Sequence, residues 1–310
     1  MQRPDPFRNV LRLSAFSWST GMAEMVLSQI ANGLVLGFLY VLLAIGLSII
    51  CGLLGIVNFA HGALFALGAY FAIALSTQFG WAAVIVAPVL VALAGVLIEV
   101  IFIRRLYGKE PLLGLIVTFA LSLLLTALIR LVWGAGGLPF SPPAALSGFL
   151  VYGPLLITKY RLFVLAATVA ILLALWWFMK FTPYGRILRA GSRDPEMVGL
   201  LGINLPRVLT GAFGLGALLA GAAGVLAAPL LTVTPSMATA AVMPAFVIVT
   251  IGGLGSFAGA VVAGLLVGVV TALAVQFFPE GSSVAMYVLM ALVLLVRPRG
   301  LFGERWERFE

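Results

Sequence analysis

The chain has 310 residues, of which 63% are apolar and only 9% are charged, whereas soluble globular proteins contain about 45–50% apolar and about 25% charged residues. This composition excludes a water-soluble globular fold and indicates a membrane protein. The formal net charge of +8 does not indicate a nucleic-acid partner, because the basic residues cluster beside the ends of apolar runs and not along one polar face.

Residues 1–21 form an N-terminal leader without the apolar core and small-residue cleavage site of a secretory signal peptide. The orientation derived below places the N-terminus on the outer side of the membrane, opposite the cytoplasm, although its first 12 residues hold three arginines. Two explanations remain open: a surface helix that overrides the charge signal, or a natural start at Met22 or Met25. The second is favoured, because the sequence from Met22 runs directly into the first apolar span.

Residues 22–303 contain nine apolar runs. They predict an all-α polytopic membrane protein, a bundle of about eight to nine transmembrane helices, because a helix of about 20 apolar residues satisfies its own backbone in lipid. The runs lie near 26–50, 58–77, 82–103, 112–133, 160–180, 208–231, 237–251, 256–276 and 283–297. The seventh run has 15 residues, which reach only about 22 Å. We therefore expect it to be a short, broken or re-entrant element.

A polar pair interrupts the apolar sequence where the second run begins. The stretch N-F-A-H-G contains Asn58 and His61, the only histidine of the chain. We expect the amide and a neutral imidazole to satisfy backbone groups that a helix break at Gly52 to Gly55 sets free. The pair is also a candidate latch of an inner gate, because a polar pair at a helix break can exchange partners when the bundle moves.

Basic residues in short loops predict the orientation of the chain. Nine spans place three clusters on one side, which we assign as cytoplasmic together with the C-terminal tail 304–310. The clusters hold Arg104, Arg105 and Lys109; Lys180, Arg186, Arg189, Arg193 and Arg207; and Arg297, Arg299, Arg305 and Arg308. The opposite side receives the Gly/Pro/Ser-rich loop 134–158.

The predicted cytoplasmic loop 186–207 contains the signals of a short helix of its own. Asp194 can cap the helix, Pro195 suits its first position, and Gly202 can end it. A helix this short needs support from outside itself. Its apolar face either rests on the bundle or lipid headgroups, or docks a cytoplasmic partner, which we favour. The candidate docking residues are Arg189, Arg193, Asp194, Pro195, Glu196, Met197, Leu200, Leu201 and Gly202.

Glycines recur at small-residue spacing along several runs and predict helices that approach each other closely in lipid. The pairs are Gly33 and Gly37, Gly211 and Gly214, Gly216 and Ala220, and Gly264 and Gly268. There is also an internal echo, since G-L-L-G at 52–55 resembles G-G-L-G at 252–255, and each lies at a break between apolar segments.

No constellation for catalysis or metal binding is present in the sequence. A single histidine without a neighbouring carboxylate provides neither a catalytic triad nor a metal site, and Cys51 is the only cysteine. The chain lacks the G-x-x-x-x-G-K-[ST] phosphate loop. We therefore expect no enzyme, no metal and no cofactor in this chain, and we expect any energy for transport to come from a partner.

Four motifs resemble the permease subunit of bacterial ABC importers for branched-chain amino acids. They are G-L-L-G-I-V-N-F-A-H-G at 52–62, R-A-x-x-x-D-P-E-M-x-x-L-L-G-I at 189–203, I-G-G-L-G-S at 251–256 and R-P-R-G-L-F-G at 297–303. The resemblance runs from about Met22 to Phe302. It departs from the family at Ala63, where many relatives carry an acidic residue, so a related urea or short-amide permease remains an alternative.

The resemblance implies a bacterial inner-membrane protein with several partners. These would be a second, similar permease, two cytoplasmic ATPases that bind ATP and magnesium, and a periplasmic binding protein. The segment 189–203 would be a coupling helix that inserts into the ATPase. Candidate gate or path residues are Asn32, Tyr40, Asn58, His61, Thr250, Gly252, Gly253 and Gly255. A partner-free channel for a small neutral solute and a membrane scaffold are the other classes considered.

Overall fold

The computed structural model describes the backbone of residues 6–152 and 155–303, and side chains from Met22 onwards except those of residues 151–156 and 195–196. The start of the leader, the tail 304–310 and the side chains of Pro195 and Glu196 therefore lie outside the described residues.

Within the described part of the chain, eleven α-helices follow one another: α1 (Pro6–Leu54), α2 (Ala60–Phe79), α3 (Ala83–Ile101), α4 (Pro111–Trp133), α5 (Lys159–Phe181), α6 (Pro183–Arg193), α7 (Pro195–Leu200), α8 (Leu205–Ala227), α9 (Met237–Gly252), α10 (Phe257–Phe277) and α11 (Ser282–Val296).

Seven helical stretches of the described chain are long and apolar enough to cross a membrane. One of them, Ala60–Ile101, has 42 residues, about twice what a single crossing needs. It turns at Gly80, whose φ is +53°. Gly68 of α2 and Val91 of α3 both meet Gly221 of α8, so α2 and α3 fold back on each other. Eight crossings and the short α9 result, in agreement with the predicted bundle.

The short seventh run is confirmed as α9, which has 16 residues. Its first turn lies against the first turn of α2: a Cβ on Gly62 would clash with the carbonyl oxygen of Ala238 and lie 3.0 Å from the side chain of Val242. At about 1.5 Å per residue, α9 is about 24 Å long. The helix therefore begins inside the bundle beside α2 and ends at the surface.

The helices α1 and α8 form the centre of the bundle. The helix α1 packs on α5, α8, α9 and α10, and α8 packs on α1, α2 and α3. The helices α4, α5 and α11 lie at the periphery. Close packing between α1 and α10 depends on the predicted glycines. A Cβ on Gly33 would lie 2.7 Å from the Cα of Val269, and one on Gly37 would lie 3.0 Å from the carbonyl oxygen of Gly264.

The described residues of the three basic clusters, which exclude Arg305 and Arg308, lie at one end of the bundle, which we name the basic end. Arg104, after α3, donates a hydrogen bond to Thr210 in the first turns of α8. Gly253, after α9, meets the backbone of Arg299. The loop after α3 thus meets the start of α8, and the loop after α9 meets the chain after α11. This is the arrangement that nine alternating spans require.

Two elements were absent from the sequence prediction. The helix α6 follows α5 directly, and its start carries a recognisable signal: Thr182 accepts from the N–H of Gly185 at 3.0 Å and Pro183 occupies the first position. In the predicted loop 134–158, strands β1 (Phe149–Tyr152) and β2 (Leu155–Thr158) pair antiparallel. This hairpin lies in a stretch that the sequence assigns to a loop because of its glycine, proline and serine content.

Candidate functional site

The polar pair Asn58 and His61 lies deep in the bundle. The Nε2 of His61 is 3.0 Å from the carbonyl oxygen of Leu43, so Nε2 must carry the proton, because a carbonyl only accepts. Leu43 lies eleven residues before Leu54, the end of α1, or about 16 Å along the helix axis. Both side chains of the pair are buried. The second helix thus starts well inside the membrane-spanning region.

One part of the sequence prediction for this pair is confirmed and the other is wrong. The side-chain oxygen of Asn58 accepts from the N–H of Ala60 at 3.1 Å, so the amide satisfies a backbone donor at the start of α2. His61 does not satisfy the break at 52–55, because its partner is Leu43. The difference arises from the chain after the break, which returns into the bundle before α2 begins.

The returning segment, residues 55–59, lies along the first three turns of α4 (Pro111–Trp133). Thr118 donates its hydroxyl to the carbonyl oxygen of Val57 at 3.0 Å, and the ring of Phe59 packs edge-on against Phe119 with centroids 6.1 Å apart. A non-helical segment can exist at this depth only where protein satisfies its backbone groups. Helix α4 supplies that partner.

Two polar atoms of the pair have no hydrogen-bond partner among the residues that the structure describes. They are Nδ2 of Asn58 and Nδ1 of His61. A buried polar atom without a partner costs about 1–3 kcal/mol, so each such atom in a folded protein needs an explanation. These atoms can take new partners in a second arrangement of the helices, which supports the predicted gate without testing it.

The glycines at 252–255 form the corner between α9 and α10. Gly253 has a φ of +94° and Gly255 has a φ of +79°, values that favour glycine. A Cβ on Gly253 would lie 2.6 Å from the N of Gly303. The N–H of Gly255 donates to the hydroxyl of Ser48 at 3.1 Å, which ties the corner to α1. The tight geometry by itself accounts for these glycines.

The C-terminal motif at 297–303 clamps the same corner. The N–H of Leu301 donates to the carbonyl oxygen of Ile251 at 2.7 Å, and that of Phe302 donates to Gly252 at 3.1 Å. These bonds satisfy carbonyl groups that the end of α9 leaves free. Two motifs that begin 46 residues apart in the sequence, at 251 and 297, therefore form one structural unit, a relation that spacing alone does not reveal.

The remaining path candidates are not brought together. Asn32 lies at the end opposite the basic end, where its side-chain oxygen accepts from Arg161. Tyr40 is partly buried against the core. Thr250 lies near the basic end and donates its hydroxyl to Phe246 of its own helix at 2.8 Å. The structure therefore assembles no single polar site from these three residues.

The predicted short helix is present as α7. The side chain of Asp194 accepts from the N–H of Met197 at 2.9 Å, and Pro195 is the first helical residue. Gly202 follows with a φ of +78°. The local rules of helix capping thus set both ends of this element.

The apolar residues of α7 face away from the bundle. We name Met197, Leu200 and Leu201 the coupling face; they are 53%, 83% and 72% exposed. The inward contact is made by Val198, which is only 2% exposed and was not a sequence candidate. An exposed apolar face beside a basic surface is typical of an interaction site. The bundle of this chain therefore does not cover the face.

The two arginines assigned to the same segment lie on α6. Arg189 and Arg193 are exposed and line a cavity of about 910 Å³ at the basic end. They lie beside α7 in sequence but line a separate surface from the coupling face. Their predicted role in coupling stays a prediction.

A buried carboxylate at the basic end connects α3 to α8 through Arg104. Glu99, in the last turn of α3, is fully buried and accepts from Arg104 through both carboxylate oxygens at 3.3 Å. Tyr107 donates to it at 2.5 Å, and Arg104 also donates to Thr210 of α8 at 2.6 Å. Burial and the Glu99 carboxylate raise the pKa of Tyr107, which keeps the phenol a donor.

Replacement of the buried carboxylate should weaken the link between α3 and α8. We expect Glu99→Gln to lower stability by about 1–3 kcal/mol, with the ionic part reduced because the Arg104 side chain is 40% exposed. The thermal unfolding midpoint of the purified chain in detergent measures this loss. Glu110→Gln, at an exposed position of the same end, is the control. Equal midpoints for the two variants would contradict the expectation.

Comparison with known proteins adds to this geometry. The family described as "Branched-chain amino acid transport system / permease component" matches residues 29–296. The high-affinity branched-chain amino acid transport system permease protein LivH of Escherichia coli is 33% identical over 89% of this chain and 95% of its own length. BraD of Pseudomonas aeruginosa, of the same description, is 32% identical over the same shares. LivM of Escherichia coli is 28% identical over 86% of this chain and 68% of its own length.

Proposed function

The chain belongs to the permease family of branched-chain amino acid transport systems, and we propose that it carries branched-chain amino acids across the inner membrane as a subunit of an ATP-binding cassette importer. It is a multi-pass membrane protein and a transport subunit, not an enzyme. The energy for uptake comes from ATP hydrolysis by partner subunits.

The exposed coupling face carries this proposal. Met197, Leu200 and Leu201 leave apolar area uncovered on a capped helix outside the membrane-spanning bundle. A helix of six residues cannot hold its conformation alone in water, and its fixed caps present one surface to a partner. In an importer, that partner is the ATPase whose closure moves the bundle.

A second permease completes the membrane part of the transporter. LivH and LivM are both relatives of this chain and both occur in Escherichia coli, which supports a pair of similar but distinct subunits. Two cytoplasmic ATPases and a periplasmic binding protein are the other proposed partners. The basic end faces the cytoplasm in this arrangement, together with the C-terminus, as the positive-inside rule requires.

Solute passes by alternating access between the two permeases. Closure of the ATPases moves α7, and α6 and α8 transmit the movement to the central helices. Asn58 and His61 form the inner latch, because their unpartnered atoms can accept or donate new bonds when α1 shifts against α2. No proton relay is required in this chain.

The latch has a direct test. We expect His61→Ala to reduce ATP-driven uptake at least tenfold while basal ATP hydrolysis persists, because the bond to Leu43 no longer holds α2 against α1. Uptake and hydrolysis are measured together in proteoliposomes that hold the assembled complex. Thr168→Ala, at a buried and unpartnered hydroxyl of α5, is the matched control. Unchanged uptake in a correctly assembled complex would reject the latch.

The proposed function is tested by reconstitution with its partners. The chain is co-expressed with its neighbouring permease, ATPases and binding protein, and uptake of radiolabelled leucine, isoleucine and valine is followed. We expect uptake only with ATP, magnesium and every partner present. Equal uptake by the chain alone without nucleotide would identify a channel and overturn the proposal. Competition by urea or short amides, but not by leucine, would identify the alternative solute class, for which Ala63 is the sequence signal.

A further inference from the structure

Two adjoining cavities open at the basic end between α1, α5, α6 and the start of α10. Their volumes are about 400 Å³ and about 910 Å³, comparable with the roughly 300–1,000 Å³ of small-molecule sites. Gly52, Arg189, Ser192, Gly255 and Phe257 line both cavities. They therefore form one continuous space, which we name the basal crevice.

The smaller part of the basal crevice is apolar and reaches into the membrane. Its apolar lining includes Ile45, Ile49, Leu53, Trp176, Met179 and Leu188. Ile45 lies nine residues before the end of α1 at Leu54, about 13 Å along the helix axis. This part of the crevice can therefore hold a hydrocarbon chain that runs parallel to α1.

The larger part is a basic mouth. Arg186, Arg189 and Arg193 line it and lie on one side of α6, because their spacing is three and four residues. The guanidinium groups of Arg186 and Arg189 have no hydrogen-bond or ionic partner among the described residues. No acidic side chain of the described chain lines either cavity. The positive charges of Arg186 and Arg189 are thus uncompensated among the described residues and suit an anion.

The surroundings place this mouth at the headgroup level of a bilayer. Lys180 lies 4.7 Å from the ring centroid of Trp176 and 5.3 Å from that of Phe181, and such lysine and aromatic pairs are typical of membrane interfaces. Among the spanning helices, α5 packs mainly on α1. It leaves Leu173 and Trp177 exposed. The crevice therefore opens at the lipid-facing periphery of this chain.

We propose that the basal crevice binds one anionic phospholipid, whose phosphate lies between Arg186 and Arg189 and whose acyl chain occupies the apolar part beside Ile45 and Ile49. The combination of a basic mouth and an apolar interior matches the two ends of a lipid. An amino acid solute fits less well, because its ammonium group would find no carboxylate there. The lipid positions α6, which precedes the coupling helix by one residue.

Native mass spectrometry of the full-length chain in a mild detergent tests the proposal. The probes are phosphatidylglycerol, phosphatidylcholine with the same acyl chains, and inorganic phosphate. We expect one phosphatidylglycerol to bind more tightly than phosphatidylcholine. Arg186→Gln with Arg189→Gln should weaken it roughly tenfold or more. Ala258→Trp, which fills the apolar part without a change of charge, should also weaken it.

The matched control is Arg105→Gln with Lys109→Gln, which removes two exposed charges from the same end but none from the crevice. This pair should leave phosphatidylglycerol binding within about twofold of the unchanged chain. Equal losses in the two double variants would overturn the proposal in favour of diffuse attraction. Displacement of the lipid by inorganic phosphate alone would identify a free-anion site. Unchanged lipid binding with loss of ATPase co-purification would assign the arginines to the partner subunit.

Discussion

Replacement of Leu200 and Leu201 by aspartate is expected to abolish ATP-driven uptake without unfolding the permease. Both residues are at least 72% exposed, so the change removes little contact within the described bundle. In an apolar interface, two unpaired carboxylates cost several kcal/mol, and each 1.4 kcal/mol is a factor of ten. We expect ATPase association to weaken by roughly a hundredfold or more, measured by co-purification and by uptake in proteoliposomes.

Two controls define this experiment. Replacement of Leu200 and Leu201 by methionine keeps the apolar area and should preserve most uptake, because volume-conserving apolar changes are tolerated. Val198→Asp places a charge at the buried inward position of α7, which is 2% exposed, and should lower the unfolding midpoint of the chain by itself. Full uptake by the aspartate variant would remove α7 as the site of coupling.

The second large effect is expected where α1 crosses α10. A Cβ on Gly268 would clash with the Cα of Gly37 and lie 2.5 Å from the carbonyl oxygen of Gly33. These are backbone atoms, which cannot move aside as a flexible side chain can. We expect Gly268→Ala to cost about 1–3 kcal/mol, despite the gain of up to about 1 kcal/mol in helix propensity. Gly268→Leu should prevent recovery of the folded chain.

Thermal unfolding of the purified chain in detergent measures the alanine variant, and yield from size-exclusion chromatography measures the leucine variant. Gly199→Ala is the control, because Gly199 lies in α7 with nothing within 4 Å of its added Cβ. Its unfolding midpoint should stay unchanged or rise. A stable, monodisperse Gly268→Leu variant would show that α1 and α10 do not need close backbone contact.

Local sequence rules were sufficient where an element depends on its own residues. The short helix α7 follows from Asp194, Pro195 and Gly202, and the structure has the side-chain cap, the first-turn proline and the left-handed glycine at these positions. The same rules would also have found α6, since Thr182 and Pro183 carry its start signal. The roles of the coupling and path residues stay predictions.

Local rules were insufficient where a partner is distant in the chain. The glycine spacing on α1 and α10 predicted close packing, but not that Gly33 and Gly37 meet Gly264 and Gly268. Capping rules predicted that Asn58 satisfies a backbone group at the helix break, as it does. The same rules placed His61 at the wrong backbone group. The segment before α2 contacts α4, and no feature near His61 in the sequence reports the position of that helix.

The sequence by itself determined that this chain is a helical membrane bundle. Lipid offers no hydrogen bonds, so only structures that satisfy their own backbone N–H and C=O groups are stable there. It also determined where α7 begins and ends, since the capping groups lie within a few residues of the bonds they make. The tertiary structure decided which face of α7 is left exposed, which arginines line the basal crevice, and how deep His61 lies. Those outcomes depend on contacts between helices far apart in sequence, whose mutual position is fixed only when the whole bundle packs.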